Sequence, residues 1–563
     1  MSLTLGGKTF FVPAAYAITK VINAGGTALP IFNVGVIIAK QMKGTPYTVG
    51  TGSTPVTADQ FILPVASPAD MEALFGIEGD NEGVTFLRYA KKTGAGTVYF
   101  LGVNPTTQLT GGVVQNATPA NAITFASKDY GAYVNDTSLT IATSIHTIIP
   151  PKNTTFLTAD SGTGATISVK SVKPFKVGDT VLVTSNAYAA PVSKVIQTID
   201  AVNKTITFTT TIATSALKAD YARIFQEDTD NQEVSTALTT PQNVIDFYAT
   251  SKYLSAVPVN GISLMPVTLA KTYIQNLTSA TKATSPDATA TDWQNIADNF
   301  ERWNEEFAIA NKIYLRVLGL VTSDSGNHVS FRDLALSLRS KNKPIAIVAG
   351  CGMGDYSQVV GNAANPRTRS IALNSDDFQL AGYGLDGYAP YLSLAGEHFG
   401  MRLGNDINHN QTNDDIIAST VEKAYFKDDA SLVGDLQAGV CAIKMTPTGY
   451  KVPQGISTYQ DQTTTFNTST KKTYLIMNRD LADFDLRAIL ELLDSMVGAD
   501  GLTAQIVRAA VMQVSELMKS LGYIKSYTIV SITKSGNAFT VERQVAIDSP
   551  TDFFGLTNTI VVD

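Results

Sequence analysis

The chain of 563 residues carries 42 Lys and Arg against 49 Asp and Glu, a net charge of −7, with 16% charged and 44% hydrophobic residues. That length and apolar content provide for several packed domains, and an acidic balance without a basic stripe excludes sequence-independent nucleic-acid binding, which needs clustered cations to displace counterions. No run approaches the ~20 apolar residues of a membrane span, and "MSLTLGGKTFF" lacks the n- and h-regions of a signal peptide. A soluble chain is expected, with a weakly charged surface suited to being covered by other protein.

Residues 1–26 read as an extended arm with strand chemistry in "FFV" and "YAITKV" and no adjacent hairpin partner. Residues 27–149 read as a core α/β part: "IFNVGVIIAK" is a buried strand, "SPADMEALFG" a helix capped by Ser67 with Pro68 in its first turn and Gly76 beyond its end, and "GTVYFLGV" a further strand. Residues 150–226 change texture, with short β-rich runs such as "GDTVLVTS" and "KTITFTT" at close spacing, which predicts an inserted, small all-β outer module.

Over 227–450 an α/β middle domain is expected. "TPQNVIDFYATS", "DWQNIADNFERWNEEFAIA" and "SFRDLALSLRSK" read as helices, and "NKIYLRVLGLVT" and "KPIAIVAG" as strands, an order that favours a partly parallel sheet. The Gly- and Asn-rich stretch that follows, to about residue 420, reads as irregular.

Residues 451–550 read as a C-terminal core domain. "DLADFDLRAILELLDSM" and "TAQIVRAAVMQVSELMKSL" are amphipathic helices, the second capped by Thr503, striped by Ile506, Ala510, Val514, Leu517 and Leu521, and closed by Gly522. "SYTIVSI" and "AFTVERQVAI" form a hairpin around Ser535, Gly536 and Asn537, and residues 551–563 end in the strand-like "LTNTIVVD". The fold class is therefore α+β: a mixed α/β core with a partly parallel sheet, several domains and two terminal β arms.

Candidate chemistry is thin. Gly350, Gly352 and Gly354 follow a strand and invite a dinucleotide reading, but no amphipathic helix follows before Pro366. "GGKT" has Ser2 where a P-loop has its leading glycine. Asp406, Asn408 and Asn410 have calcium-loop spacing, yet Gln411 and Ile417 replace the required Gly and Glu. Cys351 and Cys441 give no disulfide framework, and His146, His328, His398 and His409 share no metal spacing. No catalytic, cofactor-binding or metal site is expected, and the chain is read as no enzyme.

An isolated hairpin is marginal, and its edges must be paired, covered or charged. The C-terminal strand can fold back beside it or be given to a neighbouring copy.

Several motifs together resemble those of contractile tail sheath proteins: "FFVPAAYAITKV" their extended N-terminal segment, "VGVIIAKQMKGTPYTV" followed by "LFG" their first conserved block, and "DYGAYVNDTSLTI" their glycine, aromatic, asparagine turn. "APYLSLAGEHFGMR", "LQAGVCAIK" and "NRDLADFDLRAILELL" continue the order. The family has Gly where Ala14 stands, and its "RTTS"-like element is not evident, which leaves phage tail, pyocin-like particle or other injection system open. The placement of the inserted module resembles the variable outer domains of phage sheaths, and on that resemblance a bacteriophage tail is the expectation.

The resemblance implies a structural subunit that stacks as hexameric rings around a tail tube and contracts to drive the tube into a host cell. Its partners would be neighbouring sheath subunits, the tail tube protein, and baseplate and tail terminator proteins, with no nucleic acid and no membrane; its place would be the virion tail, assembled in the host cytoplasm. By the same resemblance Phe10, Phe11, Val12, Tyr16 and Ile18 at one end and Ile560, Val561 and Val562 at the other would be exchanged between subunits. They would dock on the hairpin strands carrying Tyr527, Ile529, Phe539, Val541 and Val545, while Arg508, Lys519 and Lys525 could face the tube. The competing expectations are a non-contractile tube or surface-layer polymer and a nucleotide-binding enzyme.

Overall fold

The computed structural model of the chain describes residues 3–5, 8–10, 34–44, 64–96, 98–103, 107–115, 121–259, 268–284, 288–304, 315–351, 365–381, 391–417, 429–459, 475–498, 501–535 and 538–547. The chain forms two units: one of Asn33–Asp406 with Gln411–Ile476, the other of Met1–Phe32, Ile407–Asn410 and Met477–Asp563.

The larger unit is organised by a seven-stranded sheet. Its strands lie in the order Val440–Cys441, Phe378–Ala381, Ala346–Gly350, Leu315–Leu320, Val34–Ala39, Val98–Gly102 and Pro64–Val65. All neighbours pair in parallel except the last. Parallel strands buried on both faces need continuous apolar runs, and "VGVIIA" and "LRVLGL" provide them.

Alternation along each strand divides the core in two. Ile37 and Ala39 join Phe86, Phe399 and Val317 on one side, whereas Val36 and Ile38 join Trp293, Phe300, Phe331 and Leu318 on the other. The first side is covered by the helices Glu82–Lys92 and Tyr391–Gly404, the second by Ala290–Trp303 and Ser325–Ser340.

The helix Tyr391–Gly404 corrects one expectation. The stretch to residue 420 was expected to be irregular, but it contains the helix Pro366–Leu373, the strand Phe378–Ala381 and this fourteen-residue helix. Its glycines are packing devices, not breakers. A Cβ on Gly396 would stand 2.4 Å from the Phe86 carbonyl oxygen, one on Gly400 2.3 Å from that of Ala90, and one on Gly404 2.6 Å from that of Thr93. Spaced by four, the three glycines form one bare stripe on which the neighbouring helix lies backbone to backbone.

Two antiparallel sheets built from residues on either side of the inserted strands share one core around Phe125, Leu139, Ile148, Tyr248 and Leu254. The strands between Pro151 and Glu227 form a separate six-stranded antiparallel sheet with its own core, including Val181, Ile196, Ile206, Phe208 and Ile224. Buried polar contacts tie this module down. The Arg223 fork reaches both Asp136 oxygens at 2.5 and 2.7 Å with both side chains fully enclosed, and Thr155 Oγ1 donates to Asp80 Oδ2 at 2.6 Å. Burial pushes the Asp80 carboxyl up to about 6, with Lys170, the Thr155 hydroxyl and the Phe156 amide opposing it.

In the smaller unit, the strands Leu3–Leu5 and Lys8–Phe10 pair antiparallel, with Leu3 opposite Phe10 and Leu5 opposite Lys8. The start of the chain was expected to lack an adjacent hairpin partner; it has one.

Candidate assembly interface

The C-terminal segment is built from the helices Ile476–Met496 and Ala504–Ser520 and the strands Ser526–Ser535 and Ala538–Ala546. Thr503 Oγ1 accepts from the Ile506 amide at 3.2 Å, and Gly522, at φ +75°, follows the end of the helix it starts. The buried line of that helix is Val507, Val511, Ser515 and Met518, with Ile506, Ala510 and Val514 beside it and Leu521 exposed. The expected stripe is thus rotated by one residue. Small residues at Ala509, Ala510 and Ser515 made both stripes plausible in the sequence.

The strands pair from Ser526 opposite Ala546 to Ser535 opposite Ala538. Tyr527, Ile529, Ile532, Phe539 and Val541 face the helices and pack with Ile489, Met496, Val507 and Val511, while Thr528, Val530, Thr540 and Glu542 are exposed. One face is therefore covered by the chain itself. Ile529 lies opposite Arg543 and Ser531 opposite Glu542, so Val530 is an extra residue that bulges the first strand. Among the described residues, no further strand pairs with either of these two.

An inward-facing cation anchors the second strand. Arg543 donates to Ser515 Oγ at 2.6 Å and pairs with Asp485 on the first helix. Burial pushes the Asp485 carboxyl up, and the guanidinium opposes that shift. Sequence reasoning missed this pair, although its signal was present: in "AFTVERQVA" the positions of Phe539, Val541, Arg543 and Val545 share one face, so Arg543 required a buried partner.

Of the residues expected to take part in assembly, Tyr527, Ile529, Phe539 and Val541 lie together in this segment, and Val545 stands opposite Tyr527. Tyr527 also donates its hydroxyl to Glu516 at 2.7 Å. Phe10 ends the strand Lys8–Phe10. Phe11, Val12, Tyr16, Ile18, Ile560, Val561 and Val562 lie outside the described residues. Arg508 is exposed and donates to the Ile529 carbonyl at 3.2 Å, beside the bulge. Lys519 is exposed at the end of its helix, and the Lys525 amide donates to the Ala546 carbonyl at 2.8 Å, extending the ladder.

The sequence's other chemical candidates lie elsewhere. Gly350 closes a central strand and Cys351 is buried behind it, while Gly352 and Gly354 are outside the described residues. His146 bonds the Tyr248 hydroxyl at 2.8 Å, His328 the Thr322 carbonyl at 2.8 Å, and His398 the Gln379 amide at 3.2 Å. Burial lowers these imidazoles to about 4, about 3 and about 4 respectively. Glu397 accepts from the Ile417 amide at 2.9 Å and is pushed up to about 8 by burial. Among the described residues, no group of three or more His, Cys, Asp or Glu could hold a metal ion.

The fold defines a multidomain α+β protein in which a parallel-sheet body carries an inserted β module and a second unit carries a helix-backed hairpin. It matches the crystal structure of a sheath tail protein from Desulfitobacterium hafniense, with a TM-score of 0.53 and 12% identity over 95% of this chain and 100% of that one. At that identity the match shows a shared fold, the fold to which the sequence motifs pointed. The baseplate of the anti-feeding prophage (TM-score 0.37, 16% identity, 50% of this chain and 77% of that one) and its contracted helical sheath (0.35, 14%, 49% and 78%) superpose too loosely to carry argument. No family model and no curated protein matches the sequence.

Proposed function

We propose that the chain is the sheath subunit of a contractile tail, polymerising as stacked hexameric rings around a tail tube and contracting to drive the tube into a host cell. The observation that carries this reading is the hairpin Ser526–Ala546: two long strands, one face covered by their own helices, and no third strand beside them among the described residues. Exposed edges of that length are templates for pairing with another chain. The shared fold with a solved sheath tail protein supports the same reading.

In this proposal the arms carrying Phe10 to Ile18 and Ile560 to Val562 add to the hairpin of neighbouring copies. Because Tyr527, Ile529, Phe539 and Val541 are committed to their own helices, an incoming strand meets the backbone edge and extends the covered face. A ladder hydrogen bond contributes a net ~1 kcal/mol, while ordering each backbone residue costs ~1 to 2 kcal/mol. One added strand is weak alone, but a subunit that gives and receives strands is held in a network. Head-to-tail contacts of this kind that do not close yield a filament. The tube, baseplate and terminator proteins are the further partners, the virion tail is the place, and no catalytic step is involved.

Electron microscopy of the purified chain at raised concentration tests the reading, with and without residues 556–563. The full chain is expected to form rings or tubes, and the truncated one to remain unassembled. A monomer under all conditions overturns the sheath reading, normal tubes from the truncated chain overturn strand exchange, and a lattice that never shortens when its tube is engaged identifies a non-contractile polymer.

A further inference from the structure

A cleft of about 820 Å³ opens in the larger unit where three substructures meet: the helix Pro68–Phe75 of the sheet body, the 128–137 and 252–253 segments, and the inserted module at Pro150–Asn153 and Lys173. Its size is that of small-molecule sites, and junctions between substructures are where such sites concentrate.

The charges around it are unequally satisfied. Lys173 pairs with Glu72 at 2.8 Å and Glu78 at 2.9 Å, and Lys152 with Asp228 at 3.4 Å and Asp230 at 3.2 Å. Asp129 is occupied by the Tyr133 hydroxyl and the Tyr130 amide. Lys128 is held by the carbonyls of Ala249 and Ser251 at 3.0 and 2.5 Å, which orient its ammonium without neutralising it. Lys43 and Lys252 also line the cleft, and neither side chain has a hydrogen bond or ion pair among the described residues. Lys252 is exposed, whereas Lys43 is partly enclosed, and burial lowers its amine below the ordinary lysine value against the pull of Asp129 and Asp228. The carboxylates opposing Lys43 are shared, Asp129 with the Tyr133 hydroxyl and Asp228 with Lys152, so its partly enclosed ammonium is incompletely compensated, and a bound anion reduces the cost of its desolvation.

We propose that this cleft is an anion-binding site for a small polyvalent carboxylate or phosphate, its charge shared between Lys43 and Lys252 with Lys128 as a fixed third cation. Charge-assisted contacts to two ammonium groups favour a multiply charged ligand over a monovalent one.

The test is calorimetric titration of the full chain with citrate and, separately, inorganic phosphate, at constant ionic strength. Saturable binding of at least one of them at one site per chain is expected, weakened about tenfold or more by Lys43→Met and by Lys252→Met. Lys194→Met, on the inserted module away from the cleft, should leave binding unchanged. Binding of citrate alone assigns a carboxylate ligand, and binding of phosphate alone assigns a phosphate. Absence of saturable binding for both anions, or binding indifferent to both cleft substitutions, overturns the proposal. Should Lys43→Met fail to fold, the exposed Lys252→Met decides alone.

Discussion

The two principal sheets treat their edges in opposite ways. The seven-stranded sheet ends on strands of only two residues, Pro64–Val65 and Val440–Cys441, and both its faces are packed. The C-terminal hairpin has strands of ten and nine residues, one packed face, and no neighbour on either side among the described residues. Short edge strands are a common protection against unwanted pairing. The first arrangement serves stability; under the proposed function, the long strands of the second would serve association.

Acid should separate the two regions most widely. His146, His328 and His398 are buried and neutral in the body, whereas residues 477–563 contain no histidine. Their folded pKa values lie below the unfolded value of 6.5, so below that pH the unfolded chain binds more protons and stability falls with falling pH. For His146 and His398, at about 4, the loss should reach about 3 kcal/mol each once pH falls to that value. Glu397, at about 8, and Asp80, at about 6, act in the opposite sense, adding stability as pH falls, so thermal melts from pH 7 to pH 4 should show the body transition moving down by less than the three imidazoles alone would give. Replacing His398 by Gln should flatten that slope, and an unchanged slope would discard the assignment.

The glycine stripe gives the next largest effect. Gly400→Leu places a side chain where even a Cβ would stand 2.0 Å from Thr93 Oγ1 and 2.3 Å from the Ala90 carbonyl. The two helices must separate, and a loss of about 3 kcal/mol or more is expected in chemical denaturation of the body. Gly498→Ala, in open space at φ +79°, strains only its own backbone and should cost about 1 kcal/mol.

How much of this was readable in advance depended on whether a residue's local signal agreed with its tertiary role. The helices Pro68–Phe75 and Pro241–Thr250 carry Ser67 or Thr240 as caps and proline in the first turn, and their starts are written in the sequence. The central strands are equally plain because burial on both faces demands unbroken apolar runs. The helix Tyr391–Gly404 was hidden because its glycines, unfavourable for an isolated helix, are there to admit a neighbour. Arg543 was hidden for a related reason: a charge looks solvent-facing until its strand face and its partner Asp485 are both known. The Lys43 cleft depends on segments far apart in the chain, and no local pattern announces it.

Within the hairpin unit, Arg543→Met leaves the Asp485 carboxyl buried without its cation. A loss of about 2 kcal/mol is expected, below the usual range for a broken buried pair because the carboxyl can take up a proton. Hydrogen exchange should place that loss in the strands and the two helices while the central sheet keeps its protection. Uniform loss across both regions would remove the distinction drawn between them.

The smallest expected effect discriminates between the hairpin's own two edges. The extra residue Val530 breaks the regular ladder of the first strand, whereas Ala538–Ala546 runs nine residues without interruption. A bulge twists and disrupts the edge that carries it, so the second strand is the better template for an added one. On assembly, amides of 538–546 should therefore gain more exchange protection than those of 526–535. Deleting Val530 should restore a regular register without much change in stability and narrow that difference. If protection instead rises first along the strand that carries the bulge, the edge assignment is reversed, and the bulge is then a feature that the incoming strand itself requires.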